Sequence, residues 1–279
     1  MIAQADTVPF TFTEYNNILL QAVLNERDTV QLMFHSSTTG VALTTDGVKR
    51  CPTIKTDGEG TAHSWGGDAS SPFSTGNTMR IGQSTWDSLL VIVDEQSGQG
   101  SDGKFGFDLF ADRVLEIDHD RHLFIVHSAL PRHVDDMIMW PCREDDGRLY
   151  TEATITLGDS SYTDRFMLHT GYGGTCILGT AFMQHVPTGT TLDTLGVKEL
   201  SDALGNTLKN VAARVPLLAF GGTRFPGLRI QVMDRRSHFN DNVLGNDLFR
   251  RFNAVIDPRN GRMYLRTNGS MGTVFNQQF

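Results

Sequence analysis

Two histidines stand in matching surroundings: His35 in VQLMFHSSTTGVAL (30–43) and His169 in DRFMLHTGYGGTCI (164–177). Met33, His35 and Gly40 recur as Met167, His169 and Gly174 at one constant offset. Imidazole has a reference pKa near ~6.5, so a neutral and a protonated ring can work as base and acid close to neutral pH. It is also a common metal ligand, although a catalytic zinc takes three protein ligands and a water. A matched pair therefore offers acid–base hydrolysis, a divalent-metal site on His35 and His169, contact with a ligand that is not cut, or a structural role. His63 is the nearest candidate for a third metal ligand, but no telling spacing joins the three.

These residues need elements to position them, and the chain repeats those as well. Residues 102–118 read DGKFGFDLFADRVLEID and residues 241–257 read DNVLGNDLFRRFNAVID. Asp102, Gly106, Asp108, Leu109, Phe110, Ile117 and Asp118 recur as Asp241, Gly245, Asp247, Leu248, Phe249, Ile256 and Asp257. The two motifs keep their order in each half, which points to an internal duplication. One lobe is expected over 7–130, a polar connector with two prolines over 131–149, and a second lobe over 150–279. Stretches 29–34, 89–93, 113–117, 123–126, 153–157, 228–232 and 254–256 are short and rich in β-branched or aromatic residues, as strands are. Asp57-Gly58, Gly66-Gly67, Asp102-Gly103 and Asn260-Gly261 supply turns. One short helix per half is expected after the repeated glycine, over 108–112 and 247–251, with Asp108 and Asp247 facing first-turn amides.

The strand–histidine–loop and apolar–glycine–DLF motifs together resemble the unit of retropepsin-like and pepsin-like aspartic proteases, in the duplicated single-chain form found in bacteria. Leu32-Met33-Phe34 and Phe166-Met167-Leu168 match the apolar strands, Phe105-Gly106 and Leu244-Gly245 the apolar–glycine element, and DLFADRV and DLFRRF the helix. The resemblance implies an all-β, bilobal aspartic-protease-like (acid protease) fold with the two loops meeting between the lobes. It also implies a catalytic Asp-Thr/Ser-Gly in each half. Here His35-Ser36-Ser37 and His169-Thr170-Gly171 occupy those places, and neither Asp-Thr-Gly nor Asp-Ser-Gly occurs anywhere. The family's chemistry needs two close carboxylates sharing one proton, and two imidazoles do not reproduce it. Ser36 and Thr170 keep the hydroxyls that brace the loops. The expected function is therefore that of a pseudoprotease, a homologue that binds a peptide or polypeptide between the lobes without aspartic-type cleavage. The rival is a peptidase or other hydrolase using His35 and His169 as acid–base or metal ligands. Ser36, Ser37, Thr38, Thr39, Gly40, Thr170, Gly171, Tyr172 and Gly173 are the expected ligand contacts, joined by Trp65 at the turn of a flap.

Bulk properties narrow the partners. Of 279 residues, 24 are Lys or Arg and 32 Asp or Glu, giving a net charge of −8 without a basic stripe. Nucleic acid is thus an unexpected partner. No apolar run reaches the ~20 residues that span a bilayer, so membrane insertion is not expected. Ala3-Gln4-Ala5 resembles the end of a removed signal peptide, which points to export, with a cytoplasmic location the alternative. Apart from a metal on the His pair, no cofactor is expected. Cys51, Cys142 and Cys176 read as buried small hydrophobes, with a Cys51–Cys142 bridge as the other reading. His119 and His122 read as solvated turn residues, and His127 and His133 show no partner pattern.

Overall fold

The computed structural model describes residues 5–64, 67–94, 98–201, 205, 207–234 and 239–276. It is an all-β, bilobal, aspartic-protease-like fold. The first lobe's sheet is built from strands Ile18–Leu24, Asp28–His35, Val41–Leu43, Gly58–Ser64, Gly67–Ile81, Ser84–Val93 and Gly103–Gly106. The second uses Arg148–Leu157, Ser160–His169, Cys176–Leu178, Asp193–Ser201, Thr207–Phe220, Thr223–Met233 and Asn242–Gly245. A third sheet ties the lobes together in the order Asp6–Phe12, Leu123–His127, Val114–Asp118, Phe252–Asp257, Arg262–Thr267, Ile138–Asp145.

The outer strands of the third sheet each change allegiance at a proline. Asp6–Phe12 pairs with Leu123–His127 up to Pro9, then with Ile18–Leu24 from Phe10 onward. Ile138–Asp145 pairs with Arg262–Thr267 up to Pro141, then with Arg148–Leu157 from Cys142 onward. A proline has no N–H to give a ladder, so it fits where a strand leaves one partner for another. The stretch 131–149, expected as a connector, therefore also supplies a strand to both neighbouring sheets.

Each histidine ends a strand whose last turns are buried on both faces. In Asp28–His35 burial alternates up to Leu32 and then becomes continuous through Met33 and Phe34. In Ser160–His169, Phe166, Met167 and Leu168 are buried in a row. This matches the parallel pairing at these ends, where a strand is covered from both sides. His35 lies opposite Gly106 and His169 opposite Gly245 in the same parallel register. A Cβ on Gly106 would overlap the Thr38 carbonyl, and one on Gly245 the Gly174 carbonyl, so the loops close only over glycine.

The expected helices shrink to single turns, Phe107–Phe110 and Asn246–Phe249. As expected, Asp108 meets first-turn amides, its own and that of Leu109. Asp108 accepts the Gly40 N–H from across the loop at 3.0 Å, and burial raises its pKa. Fully buried Asp247 holds Arg250 and lies 3.8 Å from the equally buried Arg251. Two further helices, Thr45–Arg50 and Thr180–His185, follow the short strands after each histidine loop. Six residues are too few to show helical periodicity, so the sequence pattern missed them.

Other expectations are corrected as well. His119 is buried, not solvated. It packs among Phe10, Phe12 and Phe249, its Nδ1 meets the Phe252 carbonyl at 2.7 Å, and burial pushes its pKa down to about 4. His122 is exposed. His127 and His133 do share a partner: their Nε2 atoms lie 2.7 and 3.2 Å from the two oxygens of buried Glu116. All three cysteines are buried and free. Burial raises the thiols, that of Cys51 to about 11 and that of Cys142 to about 12. Among the described residues no helix is long and apolar enough to cross a membrane.

Candidate functional site

The two histidine loops interlock through reciprocal hydrogen bonds. The Ser36 hydroxyl donates to the Leu168 carbonyl at 2.6 Å and accepts the Thr170 N–H at 3.0 Å. The Thr170 hydroxyl donates to the Phe34 carbonyl at 2.7 Å and accepts the Ser36 N–H at 3.0 Å. Both residues are only 2% exposed, so water cannot replace these partners cheaply. Asn17 adds a third tie, donating from its side chain to the Thr170 carbonyl at 3.1 Å.

This brace brings the imidazoles of His35 and His169 together, ring centroids 4.6 Å apart and planes tilted by 53°. Burial, then the His169 ring and the charge of Lys104, hold His35 well below the usual imidazole pKa. Burial, then Lys104 and Arg148, push His169 down to about 3. His169 is therefore neutral from about pH 5 upward, and neither ring is an acid poised near neutrality.

The loops differ in their third residue. The Ser37 hydroxyl shares a hydrogen bond with His35 Nδ1 at 3.2 Å. Gly171 has no side chain to do the same, and among the described residues the buried Nδ1 of His169 has no hydrogen-bond partner. A Cβ at position 171 would overlap the His35 ring, so this glycine makes the room in which that ring sits.

The other expected contacts fall around the pair. Thr38 turns the chain, its N–H donating to the His35 carbonyl at 3.2 Å, and Thr39 is exposed. Gly40 sits at φ +64°, a left-handed conformation that favours glycine. Tyr172 lies edge-on to His169, centroids 6.4 Å apart, and its ring covers Gly174 and Gly245. It packs on an apolar cluster of Tyr150, Met167, Ile177, Met233, Phe239 and Val243, and burial raises its phenol pKa. Gly173 is buried beneath the loop. Trp65 and the side chain of His63 lie outside the described residues.

Sequence reasoning missed Asn17, Lys104, Asp94 and Arg148. Lys104 lies opposite Met33, two positions before the His35–Gly106 pair and so on the same face as His35. Its buried ammonium is 3.5 Å from Asp94. The signal was present in GKFG, a lysine where the other half has the apolar valine of NVLG. Among the described residues, no group of three or more His, Cys, Asp or Glu side chains is placed to hold a metal ion.

No protein-family model matches the chain, and no curated protein sequence matches it. Among solved structures, the crystal structure of the aspartic proteinase from Irpex lacteus aligns over 98% of this chain and 100% of its own, with a TM-score of 0.60 and 16% sequence identity. At that identity the likeness concerns the backbone architecture: the chain has the fold of an aspartic proteinase, with imidazoles at the meeting point of its lobes.

Proposed function

We propose that this protein binds a peptide or polypeptide segment in the cleft between its lobes without aspartic-type cleavage. The observation that carries the reading is the pair of half-buried imidazoles, ring centroids 4.6 Å apart, on a fully formed brace. Aspartic-type hydrolysis needs one ionised and one protonated carboxyl sharing a proton, so that water is activated and the carbonyl polarised together. Two neutral rings whose pKa values are driven down supply neither the anionic base nor the acid at neutral pH. The intact brace keeps the loops and the walls beside them in place, which favours a retained binding role over a collapsed site. Strands Gly58–Ser64 and Asp193–Ser201, each paired with a single neighbour among the described residues, offer backbone edges of the kind that hold extended peptides.

The test pairs binding with turnover. Denatured casein is incubated with wild type and His169→Ala from pH 3 to 8, and labelled peptide pools are titrated against both. Peptide binding without fragments from casein is the expected result. Steady cleavage by wild type that His169→Ala abolishes would overturn the reading in favour of a hydrolase.

A further inference from the structure

The two outer edges of the sheet that ties the lobes together are built alike and finished differently. Residues 6–9 and 138–141 match position for position, each run ending at the proline where its strand changes partner. The residue after each proline donates inward, Phe10 to the His122 carbonyl at 2.9 Å and Cys142 to the Gly261 carbonyl at 3.1 Å. Hydrogen-bonding sides alternate along an antiparallel strand, so the N–H and carbonyl of Thr7 and of Met139 face outward. The first edge is clasped. The Asp6 carboxylate accepts the N–H groups of Gln83 and Ser84 at 2.9 and 3.0 Å, which holds the turn at Gly82 against Val8. The second edge has Ile138 in the place of Asp6, an alkyl side chain that accepts no hydrogen bond from the corresponding turn at Gly222. Ile138 is 48% and Met139 58% exposed, and among the described residues the strand has no neighbour beyond Arg262–Thr267 along this run. Charge flanks this apolar edge. Asp135 and Asp136 precede it and Arg143 follows it; all three are exposed, and among the described residues none forms an ion pair.

We propose that this edge is a self-association surface, along which two copies of the chain pair antiparallel through residues 138–141 about a two-fold axis at Met139. The outward N–H and carbonyl of Met139 in one copy then meet the carbonyl and N–H of Met139 in the other. Antiparallel pairing about that residue sets Ile138 beside Trp140 and Asp135 beside Arg143, each twice, with Asp136 next to the same guanidinium. Unpaired acids at one end and an unpaired base at the other therefore make the edge complementary to itself. A shifted register would separate these charges, so they fix the alignment. Pro141 has no N–H to extend the ladder, which keeps the pairing short. Two-fold pairing also covers the open edge on both copies, so the assembly closes at two instead of growing.

Sedimentation velocity at pH 7, over concentrations of about 1–200 μM, tests the proposal, because an interface this small is expected to be weak. A monomer–dimer equilibrium in that range, weakened by salt, is the expected result. Met139→Lys, Arg143→Glu and the pair Asp135→Arg with Asp136→Arg should each raise the dissociation constant about tenfold. All four side chains are exposed, and melting curves establish that each variant is folded. An equal mixture of the Arg143→Glu chain and the Asp135→Arg, Asp136→Arg chain should form dimers again, since each then meets the opposite charge on the other. Monomers at every concentration overturn the proposal. Dimers unchanged by Met139→Lys and by Arg143→Glu put the contact elsewhere and overturn it as well. A mixture that stays monomeric overturns the pairing of Asp135 and Asp136 with Arg143.

Discussion

The first loop, His35-Ser36-Ser37, and the second, His169-Thr170-Gly171, share a brace and differ in what surrounds the ring. Ser36 and Thr170 each give one hydroxyl donor and accept one N–H across the seam, so the lobes are clamped symmetrically. One position later the symmetry ends. Ser37 satisfies the Nδ1 of its own histidine, while Gly171 gives its space to the opposite ring and, among the described residues, Nδ1 of His169 has no hydrogen-bond partner. The walls differ in the same way, a buried Lys104–Asp94 pair on one side and Val243 among Met167, Met233 and Phe239 on the other. Two matching loops thus share one mechanical joint while their chemical surroundings differ.

Breaking the joint should cost most. Ser36→Ala or Thr170→Val each strands one buried N–H and one carbonyl, and each is expected to lower unfolding stability by about 2–4 kcal/mol in urea titrations. Equal losses would mark the shared function of the two hydroxyls. The double variant should cost less than the sum, because both changes dismantle one network. A strictly additive result would argue against a single brace.

Acid is the next lever, and its sign follows from burial. His35, His169 and His119 are held neutral in the folded chain, His119 down to about 4 and His169 to about 3. The unfolded chain takes up protons on these residues near pH ~6.5, so stability is fully present above that value and is lost as pH falls toward 4. His119, 5% exposed, is expected to account for up to about 3 kcal/mol of this loss. Between pH 6.5 and 5 most carboxylates stay ionised, so a falling denaturation midpoint there reports histidines. His119→Gln should flatten that part of the curve, and an unchanged slope would contradict the assignment.

The smaller tests sharpen the difference between the loops. Gly171→Ala drives a methyl into the His35 ring and should cost about 1–3 kcal/mol. Ser37→Ala, at the matching position, removes one half-buried hydrogen bond and should cost about 0.5–1.5 kcal/mol. If Ser37→Ala proved the more damaging, the picture of one open and one filled loop would be wrong.

Much of the architecture is legible in the residues alone. Strands such as Asp28–His35 and Phe252–Asp257 announce themselves because β-branched and aromatic residues cluster between turn formers. Strand Ile138–Asp145 did not, since its charges and Pro141 read as linker, and only pairing with strands far away in the chain makes it a strand. His119 failed for the same reason. It follows a strand and precedes a polar turn, yet Phe10, Phe12 and Phe249 arrive from distant segments to bury it. Glu116 drew His127 and His133 together by a contact that no spacing encodes.

By itself, the order of residues determined the repeated motifs, the strand ends that carry His35 and His169, the hydroxyls beside them and the lack of any Asp-Thr-Gly. Those features are local, written in side-chain shape, alternation and turn chemistry among near neighbours. Tertiary structure alone decided that the rings meet at 4.6 Å, that Lys104 and Arg148 charge their surroundings, and that Gly171 yields its space to a residue of the other lobe. Desolvation and charge depend on what distant strands bring close, and no local pattern in the chain records that.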